Sequence, residues 1–279
     1  MYDFYFGDLA RIEKDPLSLL LAVKRMLPRW ANGIPDSQFV AIYNLLDSFN
    51  PAPLERGKMP VLMETGSGAS TIVLAYFAIR WKTRLYSWDS SGSKLSYLRG
   101  VLTETLFNVY RDCNPNATWN AVAYASTSPH AGIPMLSELG EQVCFAFFDS
   151  DHTWNTLGAE LDATLSLLAP EAIVALDDAT YAFTHVNTAY VNMIRAKQGL
   201  KPAQIADNEG ASFKERTERV LVNRCAHVTD LEGGTFPDQA QDDIFWRYYD
   251  LDRKNMYALG MEQLENLKQR FAAWRIVRD

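Results

Sequence analysis

Apolar residues recur at helical spacing through the first part of the chain, up to about residue 58. One helix is predicted over 16–27, because its leucines fall on one face between Asp15-Pro16 and Pro28. A second helix is predicted from Asp36 onward, with apolar residues at Phe39, Ile42, Tyr43 and Leu46. A proline-containing loop follows and ends this region. We therefore predict that residues 1–58 form a helical N-terminal extension.

From residue 59 the pattern changes to short apolar runs that alternate with amphipathic segments. Strands are predicted at 59–63, 84–88, 118–124, 143–148, 173–176 and 219–223. Helices are predicted at 70–80, 95–109, 157–168 and 183–197. Alternating strands and helices are typical of an α/β fold with a doubly wound, mostly parallel sheet. We assign this fold to a single domain over residues 59–225.

The last part of the chain, 226–279, carries an apolar stripe at helical spacing. Its members are Leu264, Leu267, Phe271 and Trp274. The stripe predicts a helical C-terminal extension that packs on the domain. A subunit contact or a lid is the alternative, and the apolar extensions also favour a homo-oligomer.

Composition narrows the range of partners. The chain has 279 residues, is 48% hydrophobic and carries a net charge of −7, which suits a globular protein and disfavours nucleic acid or an anionic membrane as partner. Its three cysteines include no CxxC pair, so neither a disulfide framework nor a cysteine zinc site is expected. No apolar run approaches the roughly 18 residues of a membrane span. These features favour a cytoplasmic protein.

A glycine-rich turn follows the first predicted strand. Glu64 ends the strand, Gly66 and Gly68 form the turn, and a helix is predicted to begin at Ser70. A dinucleotide site of the G-x-G-x-x-G type would have a third glycine where this chain has Thr71. The charge of Glu64 would also oppose a phosphate and attract an ammonium group. The turn therefore predicts a ligand site other than a pyrophosphate site.

Asp89 ends the second predicted strand, where its carboxylate can accept hydrogen bonds from both hydroxyls of a ribose. Glu64 would suit an amine and Asp89 would suit a ribose. A ligand with both groups is S-adenosylmethionine rather than NAD. The segment 61–71 resembles the first motif of class I S-adenosylmethionine-dependent methyltransferases, E/D-x-G-x-G-x-G, with Ser70 at the last glycine. The resemblance implies Glu64 near the methionine amine and Ser70 near its carboxylate, with the cofactor lying over Gly66, Ser67 and Gly68.

Two further acidic clusters follow apolar strands. Asp149 comes after the predicted strand 143–148, and Asp177 and Asp178 come after the strand 173–176. Carboxylates that converge at one sheet edge repel each other unless a cation neutralises them, and Mg²⁺ suits such oxygen ligands. The arrangement resembles the metal-dependent O-methyltransferases of the catechol and macrocin type. The resemblance implies that Asp149, Asp177 and Asp178 hold Mg²⁺ and that Asp149 also binds the cofactor.

The same resemblance assigns the general base to His152, three residues after Asp149. It implies methylation of a hydroxyl on a small molecule such as a sugar, a polyol or a natural product. Three alternatives remain open. The acids can instead cap the following helix, with Asp151 and Thr153 as candidates. The enzyme can be a metal-independent methyltransferase acting on nitrogen or a carboxylate. The domain can also bind a nucleotide cofactor without catalysis.

Overall fold

Among the residues that can be described, seven strands form one sheet in a computed structural model of the chain. The structure describes residues 13–34, 36–49, 58–110, 112–124, 129–150, 154–177, 179, 196, 199, 201, 211–224, 227–230 and 271–277. The strands are β1 (Met59–Thr65), β2 (Arg84–Asp89), β3 (Trp119–Ala123), β4 (Glu141–Phe148), β5 (Leu168–Leu176), β6 (His227–Asp230) and β7 (Ala272–Val277).

The sheet has the strand order β3-β2-β1-β4-β5-β7-β6. The pairings among β1 to β5 are all parallel, whereas β7 runs antiparallel to both β5 and β6. In β4 the run from Val143 to Phe148 is buried throughout, as expected for a parallel strand covered on both faces. The predicted α/β class with a doubly wound, mostly parallel sheet is confirmed.

The helices flank this sheet. They are α1 (Pro16–Met26), α2 (Asp36–Ser48), α3 (Ala69–Arg80), α4 (Gly92–Leu102), α5 (Trp154–Leu165) and α6 (Phe213–Arg224). Helix α4 continues into a π-helical stretch over Thr103–Phe107. Short helical turns lie at Arg29–Ala31, Pro115–Thr118, Pro129–Ala131 and Met135–Glu138. The helix predicted at 183–197 lies outside the described residues.

Helices α1 and α2 share the hydrophobic core of the sheet domain. Leu20 of α1 and Ile42 of α2 are fully buried in the same cluster as the residues of β1. The ring of Tyr43 packs on that of Phe77 in α3, with 5.3 Å between centroids. The two predicted N-terminal helices are therefore present and pack directly against α3. Among the described residues, no helix is long and apolar enough to cross a membrane.

The strand predicted at 219–223 is wrong, because these residues belong to helix α6. Phe213, Thr217 and Leu221 are buried at four-residue intervals, while Val222 within the apolar run is 64% exposed. A helix on a protein surface buries every third or fourth residue. The buried face of α6 includes the polar residue Thr217, so the helical spacing is not visible from apolar residues alone. A short apolar run by itself does not distinguish a strand from a helix.

The predicted C-terminal helix is also wrong where the structure describes it. Trp274 lies in strand β7, and Phe271 precedes that strand, while Leu264 and Leu267 lie outside the described residues. Residues 271–274 are all buried, because β7 inserts between two other strands of the sheet. Strand β5 also begins earlier than predicted, at Leu168, and changes register before Ile173.

Candidate active site

The predicted site residues that the structure describes converge on the edge of the sheet where the parallel strands end. The N–H of Gly66 donates to a carbonyl of β2 at 2.8 Å, and the N–H of Asp149 donates to a carbonyl of β1 at 2.8 Å. The N–H of Asp177 donates to a carbonyl of β4 at 3.0 Å. These bonds tie the ends of β2, β1, β4 and β5 together. Parallel sheets bind their ligands at this edge.

The glycine loop is closely packed on two sides. Gly66 has a φ of +80°, and a Cβ atom there would lie 1.8 Å from the carbonyl oxygen of Asp149. A Cβ atom on Gly68 would lie 3.1 Å from the carbonyl oxygen of Ala31, in the turn between α1 and α2. The loop thus lies between the end of β4 and the N-terminal segment, and position 66 requires glycine.

Glu64 is fully buried and holds the start of α3 against β2. Its carboxylate accepts hydrogen bonds of 2.6 Å from the hydroxyls of Ser70, Thr71 and Ser87. Burial raises the pKa of Glu64 to about 7, although the three hydroxyls favour the charged form. The carboxylate of Glu64 is therefore already bonded to hydroxyls at the start of α3 and on β2. Its contact with a methionine amine stays a prediction.

Asp89 is buried at the end of β2 and points to the glycine loop. One carboxylate oxygen accepts the N–H of Ser67 at 2.8 Å and its hydroxyl at 2.6 Å, and the other accepts the N–H of Ser91 at 2.8 Å. The ammonium of Lys94 lies 3.1 Å away. Burial acts to raise the pKa of Asp89, but the bonds from Ser67 and Ser91 and the charge of Lys94 outweigh it and lower that pKa.

Asp149 and Asp177 follow neighbouring parallel strands at matching positions. Their preceding residues, Phe148 and Leu176, are paired in register between β4 and β5. Both acids are partly exposed, in contrast to Glu64. The carboxylate of Asp177 accepts a 2.7 Å hydrogen bond from the amide of Gln38 on helix α2. The N-terminal helices therefore reach the sheet edge where the predicted metal ligands lie.

These two carboxylates fit Mg²⁺ in their chemistry, because both offer hard oxygen ligands, and they follow strands that are paired in register. Asp178 and His152, which complete the predicted set, lie outside the described residues. Within the described ranges, no group of three or more His, Cys, Asp or Glu residues is arranged to hold a metal ion. The magnesium site therefore stays a prediction supported by two of its expected ligands.

Two polar side chains near the candidate site, Glu160 and Gln38, were not predicted from the sequence. Glu160 of α5 is fully buried and accepts hydroxyl bonds from Thr65 at 2.9 Å and from Ser150 at 2.5 Å, next to the candidate ligands. Gln38 was also missed. A signal existed for both residues: Gln38 lies one helical turn before Ile42, and Glu160 adjoins Leu161 on the apolar stripe of its helix. A polar residue on a buried helix face needs a hydrogen-bond partner.

No family model and no curated protein matches the sequence. Among solved structures, cofactor-bound Rv0187 from MTB aligns with a TM-score of 0.52 at 15% identity, over 95% of this chain and 91% of that one. A second structure is that of the O-methyltransferase TomG from Streptomyces achromogenes, involved in tomaymycin synthesis, in complex with S-adenosylmethionine. It aligns with a TM-score of 0.51 at 15% identity, over 95% of this chain and 90% of that one. At this level of identity the likeness is one of fold. The chain has the fold of the class I S-adenosylmethionine-dependent methyltransferases.

Proposed function

We propose that the protein is an S-adenosylmethionine-dependent O-methyltransferase that methylates a hydroxyl of a small molecule with the help of Mg²⁺. The observation that carries the proposal is the convergence of two pairs of acids at one sheet edge. Glu64 and Asp89 meet at the glycine loop, bonded to Ser70 and Ser67. Asp149 and Asp177 follow the adjacent strands. The fold supports the same assignment.

In this proposal the cofactor lies over the glycine loop. Gly66 and Gly68 pack against the backbone of Asp149 and Ala31, which holds the loop at the strand ends where the cofactor would lie. Asp89 accepts the ribose hydroxyls, sharing a carboxylate that Ser67 already orients. Ser70 would bind the methionine end of the cofactor, and Glu64 orients Ser70 by accepting the hydrogen bond from its hydroxyl. The ribose would thus meet Asp89, and the amino-acid end of the cofactor would meet Ser70, whose hydroxyl Glu64 holds.

Asp149, Asp177 and Asp178 would hold Mg²⁺, which when bound lowers the pKa of an acceptor hydroxyl and fixes its oxygen near the methyl group. His152 takes the proton from that hydroxyl. The oxygen would then form a bond to the methyl carbon of the bound cofactor as the carbon–sulfur bond breaks. The electron pair of that bond stays on sulfur, which gives S-adenosylhomocysteine. Positioning and charge neutralisation supply the acceleration.

Transfer of a labelled methyl group to a panel of sugars, polyols and phenols, with and without chelator, tests this function. Turnover should disappear in excess chelator and return with added Mg²⁺. Turnover that persists in chelator would exclude the metal and support the metal-independent alternative. Calorimetry with S-adenosylhomocysteine and with NAD tests the cofactor separately. Tight binding of NAD without binding of S-adenosylhomocysteine would overturn the assignment as a methyltransferase.

The role of His152 has its own test. His152→Ala should lower turnover by about 10²–10⁴-fold, because a positioned general base contributes an acceleration of that size. Affinity for S-adenosylhomocysteine, measured by calorimetry, should stay unchanged. Full turnover in the variant would remove His152 from the mechanism without affecting the cofactor assignment.

A further inference from the structure

Gln38 makes a long-range contact with the predicted metal site. The residue is 2% exposed, and its Nε2 donates to Oδ1 of Asp177 at 2.7 Å, across 139 positions of sequence. The side-chain amide of Gln38 can be oriented in two ways. With Nε2 toward the carboxylate it donates a hydrogen bond, whereas with Oε1 toward the carboxylate two acceptor oxygens would repel each other. The bond therefore fixes the orientation of the Asp177 carboxylate from outside the sheet.

The position of Gln38 is itself well fixed. Helix α2 begins at Asp36, whose carboxylate lies 2.9 Å from the ammonium of Lys24 and 2.8 Å from the guanidinium of Arg25, both on α1. Phe39, the residue after Gln38, is fully buried in the core. The turn that precedes α2 rests on the glycine loop through Ala31. The N-terminal segment thus contacts the candidate site at two separate points.

A neutral amide is a suitable partner for a metal-binding carboxylate. It occupies one oxygen by a hydrogen bond and leaves the second oxygen for a cation. Unlike a lysine or an arginine, it adds no positive charge that would compete with Mg²⁺. Hydrogen bonds of this kind orient metal ligands and are needed for full metal affinity.

We propose that Gln38 is a positioning residue that orients Asp177 for Mg²⁺, which makes the N-terminal helices part of the metal site. This inference rests on the proposed magnesium-assisted function. It gives helix α2, which precedes the sheet domain, a part in metal binding.

Calorimetric titration of Mg²⁺ into protein saturated with S-adenosylhomocysteine tests the proposal without relying on turnover. Gln38→Leu removes the donor and should weaken Mg²⁺ binding by about 10–100-fold. Affinity for S-adenosylhomocysteine without Mg²⁺ should stay at the parent value. Gln142→Leu is the matched control, because it makes the same change at the opposite end of β4. It should leave the affinity for Mg²⁺ unchanged.

Gln38→Met separates hydrogen bonding from packing, because methionine keeps the length of the side chain and lacks the donor. Both variants should lose the same Mg²⁺ affinity. A loss in the leucine variant alone, or an equal loss of S-adenosylhomocysteine binding, would overturn the role. Parent-like Mg²⁺ affinity in both variants would overturn it as well and leave the magnesium mechanism intact. Absence of Mg²⁺ binding to the parent protein would overturn the magnesium mechanism and this role together.

Discussion

The carboxylate of Asp89 accepts both the backbone N–H and the hydroxyl of Ser67, at 2.8 and 2.6 Å. This pair joins the end of β2 to the centre of the glycine loop. Two donors from one residue fix the carboxylate before any ligand arrives, so little side-chain entropy is left to lose on binding. A ribose that binds here meets an acid already held in place.

Asp89→Asn should therefore weaken binding of S-adenosylhomocysteine by about 1–3 kcal/mol, because charge-assisted hydrogen bonds to the ribose are lost. Calorimetry on the purified variant measures this change. Ser67→Ala is the comparison, since it removes the hydroxyl bond and keeps both the N–H bond and the charge of Asp89. Its loss should be smaller than that of the asparagine variant. Unchanged affinity in Asp89→Asn would mean that the ribose binds elsewhere.

Gly66→Ala should lower the free energy of unfolding by about 3 kcal/mol or more, because its Cβ would overlap the carbonyl of Asp149 at a positive φ. Chemical denaturation measures the change. Gly100→Ala is the control, because position 100 lies inside α4 and an added Cβ would have no heavy atom within 4 Å apart from the backbone of its own helix and its chain neighbours. This control should gain about 0.5–1 kcal/mol of stability. Equal stability of the two variants would contradict the described packing at residue 66.

The pKa of Glu64 predicts a specific pH dependence of stability. The folded value of about 7 exceeds the ordinary value of 4.5, so the folded state binds more protons than the unfolded state between them. The stability linked to Glu64 is then fully present below pH 4.5 and is lost as the pH rises through about 7. The loss is on the order of 3 kcal/mol.

Glu64→Gln should remove that part of the pH dependence, because an amide is neutral throughout and the hydroxyls of Ser70, Thr71 and Ser87 can rotate to meet it. Denaturant midpoints measured at about pH 5 and about pH 8 should differ less in the variant than in the parent. An equal difference in both proteins would show that Glu64 does not change its protonation over this interval.

Two neighbouring cations of α1 share Asp36 but should differ in their effect on stability. The side chain of Lys24 is 3% exposed and that of Arg25 is 54% exposed. Lys24 also donates to Asn32 at 2.7 Å, and burial lowers its pKa against the opposing effect of Asp36. Lys24→Met should cost about 3 kcal/mol, since one partner of a buried pair is removed.

Arg25→Met should cost less than about 1 kcal/mol, because its charge remains in water. Thermal or chemical unfolding of the two variants gives the comparison. An equal loss of unfolding free energy in the two variants would contradict the idea that burial decides how much each ion pair contributes to stability. A destabilised Lys24 variant should also bind S-adenosylhomocysteine less well, because the turn that contacts Gly68 is then held less firmly.

Local patterns in the sequence were enough to predict the mostly parallel sheet and the placement of several candidate residues at one of its edges. Asp89 ends an apolar strand, the glycine loop, Asp149 and Asp177 follow such strands, and parallel strands present their ends at one edge. The bond between Gln38 and Asp177 joins distant parts of the chain, so no local pattern contains it. The strand β7 was missed for a related reason, because its burial depends on neighbours in the sheet.

The place of β7 has a consequence for biosynthesis. Strand β6 pairs with β7, and β7 in turn pairs with β5, although β6 precedes β7 in sequence. A nascent chain that has reached β6 cannot yet attach that strand to the growing sheet. The edge of β5 and the strand β6 both stay unpaired until residues 272–277 are available. Ribosome-bound chains lacking these residues should therefore expose an unpaired strand edge, of the kind that chaperones recognise.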